Sequence, residues 1–167
     1  MDKRQGLLVA ILGGVLAILL IILTVLALNQ KPDVIVSDFE APPFDSNALV
    51  GIPQEVIARE DYRALDVNGN YTFSICGTLS FSDGLLAPYF ASHGENEVLL
   101  RIKVYDIDGT ELGKSGLIRP GEYVKTVALS RTPTGNTVTV KVLSYEPNTY
   151  YSHGTASATL PWFPNPS

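Results

Sequence analysis

The chain has 167 residues, with 12 Lys and Arg against 17 Asp and Glu, a formal net charge of −5 and a single cysteine. An acidic balance without any basic block makes nucleic acid and anionic lipid poor partners, and one cysteine rules out a disulfide framework. The length admits an anchor and one domain large enough to bury a core.

Residues 6–28 form an apolar run that carries no charge and only Thr24 as a polar interruption. As a helix rising about 1.5 Å per residue it measures roughly 34 Å, enough to cross a hydrocarbon core of about 30 Å. A soluble core helix would keep a polar face, and this run has none. Lys3 and Arg4 precede it, and only Lys31 follows closely before Asp33, Asp38, Glu40 and Asp45. The bias of basic residues toward the cytoplasm therefore makes residues 1–5 a cytoplasmic stub and places residues 29–167 outside the cell membrane, as a single-pass protein. A cleaved signal peptide competes with this signal-anchor reading, because Val25-Leu26-Ala27 offers residues small enough for a peptidase. The run nevertheless exceeds the usual apolar stretch of about 7–15 residues in such leaders. Ala10 with Gly14, and Gly13 with Ala17, set small residues four apart, a spacing through which a second helix could approach and the chain weakly self-associate.

Residues 29–66 change character. Lys31-Pro32, Pro42-Pro43 and Ile52-Pro53 break any long element. A Pro-containing extracellular tether is the economical reading, with Glu55 to Arg63 as a turn of helix or an entry strand.

From Tyr71 the period becomes two. Tyr71 to Ile75 and Leu79 to Phe81 read as strand segments around Gly77, and Leu85 to Ala91 as an apolar run that Pro88 confines to an edge. Val98, Leu100, Ile102 and Val104 alternate with Arg101, Lys103 and Tyr105, which predicts a half-buried strand. Asp106 to Gly109 predicts a tight turn into a strand over Glu111 to Ile118. A calcium loop beginning at Asp106 fails at its sixth and twelfth positions, which hold Glu111 and Leu117. The stretch Asp66 to Asn70 fails in the same way, with Tyr71 at its sixth position.

Arg119-Pro120-Gly121 is a turn before Tyr123 to Leu129. Thr137 to Tyr145 then sets Val138, Val140 and Val142 against Thr137, Thr139 and Lys141, and Thr155 to Leu160 closes the series with small residues. About seven short strands over residues 67–160, without an amphipathic helix, predict an all-β antiparallel β-sandwich. Residues 161–167 remain as an aromatic and proline tail.

Residues 79–160 carry Val98 to Asp106, Asp108-Gly109, Ser115-Gly116-Leu117-Ile118-Arg119-Pro120-Gly121, Ala128-Leu129-Ser130, Val142-Leu143-Ser144-Tyr145 and Gly154-Thr155-Ala156. This set resembles the ectodomains of small single-span envelope proteins of Gram-positive bacteria (Firmicutes). The resemblance covers about half of the chain and implies an anchored immunoglobulin-like or fibronectin-like sandwich of the cell envelope. It supplies no catalytic residues. The stretch Leu85 to Gly94 and the C-terminal tail depart from the pattern.

Candidate chemistry is sparse. His93 and His153 sit beside glycines in loops, and surface histidines explain them without a metal. Cys76 lies in an apolar strand with no basic neighbour in sequence, as expected of a buried, inert thiol. No glycine-rich phosphate loop precedes a helix. Catalytic, cofactor-binding and metal-ligating residues are accordingly none, and the expectation is a protein that is not an enzyme but has a binding, adhesion or envelope-assembly role. The surplus is aromatic: Tyr145, Tyr150, Tyr151, Trp162 and Phe163 are the candidate binding residues, for a protein or glycan partner at the cell surface. A small carbohydrate-active enzyme of the envelope, and a secreted domain left after cleavage, are the alternatives.

Overall fold

The computed structural model describes residues 41–164. The expected cytoplasmic stub, the apolar run 6–28 with its expected small-residue contact, residues 29–40 and residues 165–167 lie outside the described residues. Among the described residues, no helix is long and apolar enough to cross a membrane.

The described chain is all β, in twelve strands: β1 Leu49–Val50, β2 Tyr62–Val67, β3 Tyr71–Cys76, β4 Leu79–Ser82, β5 Leu85–Ala87, β6 Phe90–Ser92, β7 Leu99–Tyr105, β8 Glu111–Lys114, β9 Glu122–Val124, β10 Val127–Ala128, β11 Thr137–Tyr145 and β12 Ser152–Pro164. They form a five-stranded sheet of order β1-β9-β6-β3-β2 and a seven-stranded sheet of order β10-β5-β4-β12-β11-β7-β8. Tyr71, Phe73, Ile75, Phe90 and Val124 from the first sheet and Leu79, Leu86, Leu100, Ile102, Val104, Val138, Val140 and Val142 from the second build one core. The alternation in β7 and β11 sets this arrangement: every second side chain of each strand points to the same face, so an apolar row must face inward. Val140 and Ile102 have no exposed surface.

Twelve strands replace the expected seven because three of the predicted strands turn a corner and two more, β1 and β2, form in residues expected to be tether. β3 and β4 are joined by Gly77-Thr78, β5 and β6 by Pro88-Tyr89, and β9 and β10 by Lys125-Thr126, and each pair passes from one sheet to the other. Short bends of this kind make the corners of packed sheets. Cys76 N donates to Pro88 O at 3.0 Å and Tyr89 N to Lys125 O at 3.2 Å, so the three corners are bonded side by side.

The seven-stranded sheet also curls until its two ends meet. Ser130 N, just past β10, donates to Leu112 O of β8 at 2.8 Å. Gly113 makes this approach possible, since a Cβ there would lie 3.2 Å from the Ala128 carbonyl carbon and 2.9 Å from Leu129 Cδ2.

Two expected boundaries move. Residues 41–66, expected within the tether 29–66, pack as part of the β body. Asp45 N donates to Leu117 O and Leu117 N to Pro43 O, both at 2.9 Å, and β2 pairs along its whole length with β3. The turn between β2 and β3 explains why. Asn68 and Gly69 both have positive φ, 52° and 72°, and Asn70 N donates to Val67 O at 2.9 Å, the tight turn that Asn-Gly favours, within a three-residue loop between the paired Val67 and Tyr71. The tail 161–167 likewise loses Pro161 to Pro164 to β12, where Trp162 to Pro164 pair in parallel with Leu79 to Phe81. Proline fits here because Pro161 pairs only with β11 and Pro164 only with β4, so each has a neighbour on one side alone.

The predicted turns at Asp106 and Asp66 are turns. The Asp106 carboxylate is buried and accepts from Ile107 N at 2.9 Å, from Thr134 Oγ1 at 2.9 Å and from the Arg131 guanidinium. Burial alone would raise its pKa, but these donors outweigh it and hold the group at about 2. A carboxylate so engaged ties the β7–β8 turn to the loop before β11.

Candidate functional site

β1 and β2 follow one another in the chain yet stand at opposite edges of the five-stranded sheet. The connecting strap, residues 51–61, must therefore cross a face of that sheet, and the opposite face belongs to the core. Two devices fix it. At one end Gly51 N donates to Gly121 O at 2.8 Å. At the other, Arg59 grips Asp61 through two bonds, Nε to Oδ1 at 2.8 Å and Nη2 to Oδ2 at 2.7 Å. The same Asp61 receives Thr78 N at 2.9 Å on its carboxylate and Gly77 N at 2.7 Å on its backbone oxygen. Two parallel bonds between guanidinium and carboxylate give orientation as well as attraction, so the strap is clamped to the β3–β4 corner. Val56 is buried beneath it.

Under the strap the sheet is hollow for a simple reason. Leu49, Tyr123, Ala91, Ser74 and Ala64 stand directly opposite one another on β1, β9, β6, β3 and β2, and opposed residues share a face. The middle of the row is small, Ala91 and Ser74, while Tyr123 and Tyr62 stand to either side. The result is a pocket of about 340 Å³ lined by Gly51, Ile52, Ile57, Tyr62, Ser74 and His93 among others. Its upper walls are apolar: Ile52 and Ile57 are each about half exposed. Its floor is polar, with His93 Nε2 and Ser74 Oγ 2.9 Å apart.

The Tyr62 hydroxyl is buried and has no hydrogen-bond partner among the described residues. Burial pushes this phenol up to about 12, and nearby Ser74, outside bonding geometry, offsets only part of the rise. A buried donor left unpaired is a cost that a ligand acceptor would remove.

His93 is held by its own loop. Asn96 Nδ2 donates to Thr72 O at 2.7 Å and to Ser92 Oγ at 3.0 Å, and its Oδ1 accepts from Thr72 N at 2.8 Å. The amide thus bonds to the β3 backbone as a paired strand residue would, and the turn 93–96 cannot drift. His93 also lines a second, polar basin of about 240 Å³ with Asp66, Asn70, Glu95 and Asn96. Asn70 in turn lines a third depression of about 300 Å³ with Glu97, Glu146, Asn148, Thr149 and His153. The three depressions share linings in series, carry four carboxylates and two histidines, and contain no Lys or Arg. Glu95 and Glu97 make no side-chain bond with another described residue.

The five predicted binding aromatics fall into two groups. Tyr145, Tyr150 and Tyr151 stand at the β11–β12 hairpin, whose loop supplies Glu146 to Thr149 to the third depression. Tyr151 is well exposed and Tyr150 has φ 56°. Trp162 and Phe163 stand at the other end of β12; eleven residues at about 3.3 Å each put Trp162 roughly 36 Å from Tyr151. Trp162 packs on the core edge-on to Phe81, with ring centres 5.6 Å apart, and its indole donates to Gly135 O at 2.6 Å. The structure does not bring the two groups together. His153 is exposed at the start of β12, and Cys76 is wholly buried, its thiol pushed up to about 11 by burial.

The Ser74–His93 contact has the spacing of a nucleophile and a base. Ser74 is buried, however, and no described carboxylate bonds the other ring nitrogen of His93. Among the described residues no group of three His, Cys, Asp or Glu side chains is placed to hold a metal. The sequence reading missed the strap pocket because its strap, with Gly51, Ile52, Ile57 and Tyr62, lies in residues assigned to the tether, and its floor joins strands distant in the chain. The available signals were Asn68-Gly69 as a hairpin turn and the aliphatics Ile52 and Ile57 within an otherwise polar stretch. No protein-family model, curated protein or solved structure matches the chain.

Proposed function

We propose that this chain is a single-pass protein of the cell membrane, N-terminus inside, whose extracellular β body binds a partner and catalyses no reaction. The observation that carries the binding role is the strap pocket: exposed aliphatic walls over a polar floor with a buried, unpartnered hydroxyl. Pockets of mixed character with a few convergent polar groups are the usual form of a recognition site. The uncharged run 6–28 supports the anchor, and Lys3 and Arg4 support the orientation. Kinship with Gram-positive envelope proteins and an immunoglobulin-like or fibronectin-like sandwich belong to the same proposal. Two sheets on one core support the sandwich.

The test uses a photo-reactive amino acid placed at Ile52, Ile57 or Ser157 of the full chain in intact cells. Cross-linked adducts from Ile52 and Ile57 but not from Ser157, removed by protease added outside the cells, are expected. Adducts absent at the strap, or a body untouched by external protease, would overturn the reading. The Ser74–His93 distance favours a second reading, a hydrolase. An active-site fluorophosphonate that labels Ser74 would establish it in place of the binder.

A further inference from the structure

The hydrophobic surface and the charge around the strap pocket narrow the partner. We propose that the pocket and the adjoining basin form one recognition site for a protein segment that inserts an apolar side chain between Ile52 and Ile57 and sets Lys or Arg against Asp66 and Glu95. The inference rests on the binding reading and assigns the class of partner.

Three observations lead to it. Leu49, Ile52 and Ile57 are all exposed; Leu49 shares the strap-side face of the sheet with Ala91 and Ser74, and Ile52 and Ile57 line the pocket. Clustered exposed aliphatics on an otherwise polar surface mark protein contacts. A sugar site would instead offer a broad aromatic face, and Tyr62 is the only Phe, Tyr or Trp among the described residues that line this pocket. Charge then selects among proteins. His93 lines both depressions, so a chain leaving the pocket passes into a basin with two carboxylates and no cation. Glu97 and Glu146 extend the same sign beyond Asn70. An acidic segment would be repelled along this whole path, and a basic one attracted.

The third observation is the floor. An apolar side chain alone would leave the Tyr62 hydroxyl unpaired, whereas the backbone carbonyl of an inserted segment is an acceptor for it. Protein interfaces commonly combine a central apolar anchor with a charged rim that sets the approach and the register.

The probe is a library of random 12-residue peptides displayed on phage and selected on the full chain in detergent. Enriched peptides should carry Leu, Ile, Met or Phe within a few residues of two or more Lys or Arg. For a synthetic copy of the strongest, Ile52→Ser and Ile57→Ser should each weaken binding about tenfold, the effect of roughly 1.4 kcal/mol. Glu95→Gln should weaken it about two- to fivefold, the worth of an exposed ion pair, and flatten its dependence on salt. Asp66 also accepts from Gly69 N in the β2–β3 turn at 2.8 Å, so Glu95→Gln carries the charge test without touching the fold. Enriched peptides with no basic preference, binding indifferent to the strap substitutions, or displacement of the peptide by chitotetraose would overturn the assignment. Cell-surface cross-links at Ile52 together with a failed basic preference would sink the partner class alone. Basic-peptide binding as expected without cross-links on cells would uphold the class and sink the tethered-binder reading.

Discussion

Gly116→Ala tests whether residues 41–45 are part of the fold. A Cβ at position 116 would stand 2.6 Å from Asp45 Cα and 2.7 Å from Phe44 C. All of these are backbone atoms, so no rotamer change can relieve the clash, and the segment must move by most of an ångström. Three bonds depend on its place: Gly116 N to Asp45 Oδ2 at 2.8 Å, and Asp45 N to Leu117 O and Leu117 N to Pro43 O at 2.9 Å each. The Arg119 guanidinium 3.7 Å above the Phe44 ring depends on it too. At about 0.5–1.5 kcal/mol for each hydrogen bond and about 0.5–1 kcal/mol for the cation–π contact, the loss is roughly 2–5 kcal/mol. For a body of this size, each kcal/mol lowers the melting temperature by roughly 3–5 °C, so a fall of about 6–25 °C is expected. Thermal unfolding of the full chain followed by circular dichroism gives the number, and hydrogen exchange at the Asp45 amide should accelerate in the same variant. Gly94→Ala is the control, because the nearest atom to its added Cβ is 4.0 Å away. A Gly116→Ala protein that melts within about 1 °C of the parent would refute the docking of this segment.

The buried Asp106 makes an acid-dependence prediction. Its folded pKa, about 2, lies below its ordinary value of 3.8. Its contribution is therefore fully present above the ordinary value and is lost as pH falls toward 2. Asp106→Asn should be less stable at pH 7 and should lose stability less steeply than the parent between about pH 4 and pH 2; urea midpoints across that range, parallel in the two proteins, would contradict it. For Cys76, a thiol raised to about 11 and wholly buried predicts no reaction with a disulfide reagent until the protein unfolds. Rapid labelling in native buffer would show the corner at Gly77-Thr78 to be open. Tyr151, 74% exposed, should tolerate alanine with a melting change of about 1 °C or less; a large fall would mean that it packs.

The strands that could be read in the sequence were those with one buried face. β11 runs from Thr137 to Tyr145 as its alternating valines predict, and β7 begins one residue after Val98. Gly77 marked the β3–β4 corner as a bulge or bend, but the corner between β9 and β10 was not legible. Val124 and Val127 both read as apolar positions of one strand, yet they belong to different sheets, and nothing local in Lys125-Thr126 announces the bend. β2 was missed because Arg63, Ala64 and Asp66 are exposed, which gives an edge strand no hydrophobic period to detect. Its hairpin turn, Asn68-Gly69, was the surviving signal. The strap pocket depends on the juxtaposition of Ala91 and Ser74 across strands that are not neighbours in the chain, and periodicity cannot supply that register. The prolines around Trp162 left the tail readable either as packing back or as offered to a partner, and Trp162 packs back. Its parallel pairing with β4 is a long-range fact of the fold.

The strap as the binding surface is tested most directly by hydrogen exchange of the full chain with and without a selected basic peptide. Slowed exchange over residues 49–57, 62–66 and 91–96, with residues 152–164 unchanged, is the expected pattern. Protection confined to the β11–β12 hairpin and β12 would contradict it and return the site to the hairpin tyrosines.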